Sequence, residues 1–353
     1  MKKVVIFLLV VAISFPNFSE AKIWRVNNNP GVVADFATLD AAMATYAAGD
    51  SIHLEPSGTT YFLSSNEFNT SGKFVTIIGN GYDLNINTGL QQNHLSSVIN
   101  GYNSADLVVV KDIKFIGIKF NSVLMNGNSS GDVNISFESC LFTTGFMYTG
   151  NVSLPISNIH FKKNFFNGFL FQMFNLSATS VLSNYTFENN IVRDLYYQDS
   201  FWDEDVSRRI VRNNVFVNGY HGQGNYVANN IFKNGADLMI NCIVKNNIFN
   251  TPAVTFPEAL ASFNNVFGVD MSTVFQSPLT DIDNCFLLKP GCQAIGAGVP
   301  NGATPVDCGA FGGPNPYKLS GIPAIPAIYE LQVPNLIYSG DNMQINIKSR
   351  SNN

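Results

Sequence analysis

Positions 193 to 209 hold five carboxylates (Asp194, Asp199, Asp203, Glu204, Asp205), three arginines (Arg193, Arg208, Arg209) and four aromatics (Tyr196, Tyr197, Phe201, Trp202). Flat aromatic faces beside charged hydrogen-bonding groups suit a sugar, whose rings stack on Trp and Tyr while its hydroxyls pair with carboxylate and guanidinium. Clustered carboxylates also suit Ca²⁺, a hard ion that takes six to eight oxygens. With an arginine as base, that set would be a Ca²⁺-assisted polysaccharide lyase. Trp202 and Tyr197 equally suit a protein-binding hot spot. The plainest alternative is solvated Asp–Arg pairs with Trp202 covering the loop base. The candidate ligand-binding residues are therefore Asp194, Tyr196, Tyr197, Asp199, Trp202, Asp203, Asp205, Arg208 and Arg209. No catalytic residue and no resident cofactor can be assigned from the sequence. Ca²⁺ enters only with the lyase alternative, and a glycoside hydrolase is the other enzyme class considered. The four histidines, His53, His94, His160 and His221, lie far apart without metal-ligand spacing.

What would hold such residues is legible in a repeated phrase: an apolar residue, then Asn-Asn two positions later, then two apolar residues. It occurs as Phe187-Glu188-Asn189-Asn190-Ile191-Val192 and Val211-Arg212-Asn213-Asn214-Val215-Phe216. It returns at 227–232 and 244–249, with looser copies at 137–142, 161–166 and 263–267. Counted at the second Asn position from residue 140, the steps are 24, 26, 24, 16, 17 and 18 residues. Helical repeats need about 33 residues or more. Short strands joined by bends at this period predict one coil of an all-β, right-handed parallel β-helix, with neighbouring coils pairing about 4.8 Å apart. Asn tolerates the left-handed backbone of a sharp bend. Stacked in register, Asn164, Asn190, Asn214, Asn230, Asn247 and Asn265 can form a hydrogen-bonded structural ladder. The 24-residue step between Asn190 and Asn214 precedes steps of 16–18, so the 194–205 stretch is expected to leave the stack as a loop.

The ends carry a more specific likeness. Asp35 to Ala47 reads as a short amphipathic helix capping the first coil, followed by the strand from Ser51. Asp35-Phe36-Ala37-Thr38-Leu39-Asp40-Ala41-Ala42, Val75-Thr76-Ile77-Ile78-Gly79-Asn80-Gly81 and Gly309-Ala310-Phe311-Gly312-Gly313 resemble the first and last coils of bacterial exported pectin-lyase-like β-helix proteins. The resemblance spans about residues 23–320, implies the fold, and carries over no catalytic residue. The acidic triad with matched Arg of pectate lyases is not recognisable. Where those relatives have a Ser and a hydrophobic residue in the closing segment, this chain has Cys292 and Cys308. That departure implies a Cys292–Cys308 disulfide, with Cys285 as the competing partner.

Met1-Lys2-Lys3, the apolar run Val4–Ile13 and the small residues before a cut after Ala21 read as a signal peptide at 1–21. The run is too short to span a bilayer core, so no transmembrane segment is expected. Cleavage leaves 18 of 20 basic and 24 of 25 acidic side chains, a formal charge of −6, which excludes an electrostatic footprint for nucleic acid. The expected organisation is a signal peptide at 1–21, a β-helix at 22–320, and a Pro-rich linker with a C-terminal β tail at 321–353. The tail is expected to fold back along the solenoid, the alternative being a strand added to a partner's sheet. The expected function is an exported, non-catalytic protein of the cell envelope, located in the periplasm, on the surface or secreted. It would bind a polysaccharide or an envelope protein. The alternatives are the lyase and a structural subunit of a surface or outer-membrane assembly.

Overall fold

The computed structural model describes residues 20–352, apart from 71, 85–95, 102–105, 127–130, 150–155, 169, 176–181, 194–196, 201–205, 236–237, 277–281, 335, 337 and 341. The expected signal peptide lies almost wholly outside the described residues. Among the described residues, no helix is long and apolar enough to cross a membrane.

The chain is a parallel β-helix. Eleven strands, from Ile23–Val26 to Ala261–Phe263, pair in chain order into one sheet, each coil contributing one strand. A second, 15-stranded sheet supplies the other walls. In it the two-residue strands Phe165–Phe166, Ile191–Val192, Val215–Phe216, Ile231–Phe232 and Ile248–Phe249 form one row. Leu170–Asn175, Tyr197–Ser200, Tyr220–Gln223 and Leu238–Ile240 form another.

Parallel in-register pairing puts like residues on successive coils one strand spacing apart, which is also a ring-stacking distance. Inward rings therefore pile into columns: Phe142 on Phe166 at 4.7 Å, Phe216 on Phe232 at 5.3 Å, and Phe232 on Phe249 at 4.7 Å. The repeated phrase encodes this core directly. Of its two closing apolar residues, the second (Phe142, Phe166, Val192, Phe216, Phe232, Phe249) enters the solenoid interior. The first (Leu141, Phe165, Ile191, Val215, Ile231, Ile248) points outward into a separate apolar cluster.

Residues from Val269 onward cover that outward row. Val269, Met271, Val274, Phe275, Phe286, Ala294 and Ala310 close the second cluster, and the chain then runs back toward the first coils as a strap. The direction follows from its contacts. Asn246 donates to Ala297 O (2.9 Å), Val299 N to Asn229 Oδ1 (2.8 Å), Asn213 to Asp307 O (3.1 Å), and Asn189 to Gly312 O (2.7 Å). The backbone N–H of Tyr82 donates to Ser320 O at 2.7 Å. Gly321 (φ +57) crosses where a Cβ would sit 2.1 Å from Ser139 O, so only glycine fits. The solenoid's last ladder strand thus ends at Phe263, and most of the segment from there to residue 320 is a covering strap.

The two residues of each Asn pair do different work. The first sits in the left-handed region (Asn189 φ 56, Asn213 φ 54, Asn229 φ 59, Asn246 φ 54) and supplies the bend. Its side chain holds the strap. The second forms the ladder: Asn164 donates through N and Nδ2 to Asn190 Oδ1, and the pattern repeats through Asn214, Asn230 and Asn247 to Asn265, at 2.8–3.1 Å.

At the N-terminus the helix is shorter than 35–47. It spans Leu39–Thr45, with Thr38 Oγ1 accepting from Ala41 N. Phe36 is taken instead into a parallel bridge with Val26, because its backbone bonds Arg25 and Asn27. At the other end of the chain, the two tail segments form a two-stranded sheet of their own. Ala327–Gln332 and Asn346–Arg350 pair with each other as an antiparallel hairpin.

The expected Cys292–Cys308 disulfide is not formed: none of the five cysteines is bridged to another. Cys308 Sγ instead donates to Asn246 O at 3.1 Å, deep under the strap, where burial pushes its thiol up to about 12. Burial does the same to Cys140.

Candidate functional site

Of the residues singled out from the sequence, Asp194, Tyr196, Trp202, Asp203 and Asp205 lie outside the described residues. The backbone of Tyr197 and Asp199 belongs to the ladder strand Tyr197–Ser200, paired in parallel on both sides, so this part of the interval stays in the stack. Arg208 ends a short 3-10 turn and is exposed.

Arg209 does not share the exposed position of Arg208. It is fully buried, its Nε donating to Gly224 O (2.8 Å) and its guanidinium also reaching Leu182 O (3.4 Å). In the sheet it pairs with Tyr185, an inward position, and strand alternation turns it into the solenoid. It supports the core and cannot meet a ligand with Arg208.

The structure assembles a different surface, on the outer face of the 11-stranded sheet beside the strap. Glu138, Lys162, Glu188 and Arg212 occupy one register position on four successive coils, and the row continues through Ala228 and Lys245 to Phe263. Each is the residue just before the Asn pair, or before its equivalent. The apolar residue preceding it points in, so this one must point out. Alternating sign lets neighbouring rungs pair. Lys114 Nζ lies 2.8 Å from Glu138 Oε2, Lys163 Nζ 3.4 Å from Glu138 Oε1, and Lys162 Nζ 3.8 Å from Glu188 Oε2, while Arg212 Nε donates to Glu188 Oε1. Two residues earlier on the same face, His160 Nδ1 meets Thr186 Oγ1 at 2.8 Å. Further along, Lys245 Nζ lies 4.8 Å from the centre of the Tyr226 ring.

Two cavities lie between this face and the strap. One, about 190 Å³, is lined by Glu138, Lys163, Glu188 and Asn315; the other, about 290 Å³, by Tyr226, Asn229, Pro300 and Val306. Arg212, Asn213 and Pro314 line both, which makes them one groove. Burial pushes the Glu138 carboxyl up, but the Lys114 hydrogen bond and charge, with Lys163, outweigh it and hold the group below its usual 4.5. An ionised carboxylate of this kind accepts hydrogen bonds and is a poor proton donor. Among the described residues, no group of three or more His, Cys, Asp or Glu is placed to hold a metal ion.

Burial also lowers the His160 imidazole below 6.5, as do the charges of Lys162 and Lys114, against an opposing pull from Glu188. The unfolded chain therefore takes up the His160 proton first. The stability tied to neutral His160 is whole above 6.5 and is lost as pH falls from there through its depressed folded value. Glu138 acts in the same direction lower down: its contribution is present above 4.5 and disappears as pH falls through its depressed folded value. Urea midpoints measured down the pH scale should fall in two stages. His160→Gln should flatten the upper stage and Glu138→Gln the lower; an unchanged upper stage in His160→Gln would assign it elsewhere.

The signal for this groove was present in the repeats, as a Glu, Lys, Glu, Arg series at one position of the phrase. It is visible only when the copies are aligned for their outward residues. Tyr226 and the strap wall carry no comparable local signal. Comparison with known proteins yields no match: no family model, no curated protein and no solved structure aligns with the chain.

Proposed function

We propose that this chain is an exported, non-catalytic glycan-binding protein of the cell envelope, related to the pectin-lyase-like β-helix proteins, and that the groove between the charged ladder and the strap takes the polysaccharide. The observation that carries this reading is the Glu138–Lys162–Glu188–Arg212 row running into Tyr226 along one continuous groove. A linear glycan offers hydroxyls or carboxylates at a regular spacing along its length, and a solenoid offers charged rungs about 4.8 Å apart to meet them. Tyr226 supplies a flat face for one ring, and the Lys and Arg heads are charge-assisted donors to its substituents. Carboxylates already neutralised by fixed cations suit orientation of hydroxyls better than bond cleavage.

A glycan array followed by titration calorimetry tests this. Arg212→Ala should weaken binding about tenfold to a hundredfold, since a hydrogen bond to a charged group is worth about 1.5–3 kcal/mol, and Tyr226→Ala should weaken it by removing the stacking face. Binding that survives both substitutions would remove the groove as the site. An ultraviolet-absorbing unsaturated product from uronate polymers would replace the binder with the lyase.

A further inference from the structure

The solenoid is closed at one end and open at the other. At the start, Leu39–Thr45 packs on the first coils. At the finish, Ala261–Phe263 pairs on one side only, with Ile243–Lys245, among the described residues. Around that edge Leu260 (51%), Phe263 (47%), Val266 and Phe267 remain exposed. An unpaired edge backed by apolar side chains is a template for another strand. The molecule also carries two strands outside the solenoid's sheets, paired only with each other among the described residues. The hairpin Ala327–Gln332/Asn346–Arg350 exposes Ile328 (65%), Leu331 (59%) and Ile347 (58%).

These two surfaces cannot satisfy each other within one copy. The strap delivers the hairpin to the early coils, where Pro323 lies beside Gly117. The hairpin's root is held there by Lys318 Nζ to Asn352 O (2.5 Å) and Asn352 Nδ2 to Ile325 O (2.7 Å). The strand ending at Ile116 is the fourth of the eleven, so seven rungs, about 34 Å, separate it from the open edge. Even fully extended, the chain from Pro323 to Leu331 spans only about 27 Å. The paired part of the hairpin falls short of its own open end.

We propose that the hairpin of one copy docks on the open last coil of a second copy, extending its sheet and covering Leu260 and Phe263, so that molecules join head to tail. The occupant is a second copy of this chain. Both surfaces belong to every molecule, the hairpin root lies seven rungs from the open edge, and Glu330 and Lys348 already neutralise each other at 2.6 Å on the hairpin. A contact between two different patches does not close on itself, so it builds chains of increasing length.

Sedimentation velocity on the full chain should show a mass that rises with concentration, passing through twice the monomer to longer species. The double variants Leu331→Lys/Ile347→Lys and Leu260→Lys/Phe263→Lys should each stay monomeric, with circular dichroism confirming the fold. Mixed one to one, each still holds one good surface, so they should form a species of twice the monomer mass and nothing longer. A chain lacking 327–353 should replace the hairpin variant without changing that result. A wild-type protein that stays monomeric up to its solubility limit overturns the proposal. So does self-association that survives the hairpin changes, or a mixture that stays monomeric. Hairpin-dependent binding to phosphatidylglycerol vesicles without self-association would place the hairpin on a membrane and also overturn it.

Discussion

Asn214→Leu should lower the unfolding free energy by about 3–5 kcal/mol, the range reached when a buried hydrogen-bond network is broken. Leucine keeps the branched outline of asparagine and is the larger of the two, so the loss is not a cavity effect. Asn214 is fully buried and accepts from Asn190 N (2.8 Å) and Asn190 Nδ2 (3.1 Å). It donates to Asn230 Oδ1 through N (2.9 Å) and Nδ2 (3.0 Å), and through Nδ2 to Phe187 O (2.8 Å). An apolar side chain leaves the Asn190 donors and the Phe187 carbonyl buried without that partner. Each orphaned group costs about 1–3 kcal/mol. Asn265→Leu is the internal control. It ends the ladder, half-buried, where water can replace the lost partner, so its cost should be about 1 kcal/mol. Urea unfolding followed by circular dichroism decides the matter. Equal costs at 214 and 265 would mean that burial of the ladder contributes nothing.

The second large effect is expected at Asp283, and it is local. This fully buried carboxylate accepts from Tyr317 OH (2.9 Å) and from the backbone N–H of Ser320 (2.6 Å). The Tyr317 hydroxyl also meets that of Tyr82, which follows the third strand of the 11-stranded sheet. Burial raises both phenols well above their usual range, so they remain neutral donors. The cluster fastens the strap to the early coils. Asp283→Leu should cost the strap about 3 kcal/mol, which speeds amide exchange across residues 294–322 by about a hundredfold. The outward row Leu141, Phe165 and Ile191 should then bind a hydrophobic dye. Asp283→Asn keeps an acceptor oxygen and should recover most of the protection. Exchange that accelerates equally in the coils and in the strap would show global unfolding and refute a local clamp.

The local code of the coils was readable from residue order alone. Asn-Asn followed by two apolar residues specifies a left-handed bend, a buried ladder position, an outward apolar residue and an inward one, all within six positions. Parallel stacking then repeats that instruction at every coil, which is why period and core could be derived without coordinates. The roles within the pair were not separable from sequence, because both are asparagine. Only φ values and bond partners assign the bend to Asn189, Asn213 and Asn229, and the ladder to their successors.

Long-range placement was decided by the tertiary structure. Arg208 and Arg209 look alike in sequence, yet alternation in a strand whose start was not legible sends one outward and one into the core. Cys292 and Cys308 read as a bridge in the sequence, and the fold keeps both as thiols. Glu138, Lys162, Glu188 and Arg212 lie 24 to 26 residues apart, and become a surface only because register aligns them. The strap that makes this surface a groove pairs residues as distant as Tyr82 and Ser320. Residue order dictates what each coil does with its neighbours, since that information is local and repeated. Where the non-repeating C-terminal segment settles depends on which apolar row the finished solenoid leaves uncovered, and that row exists only once the coils have stacked.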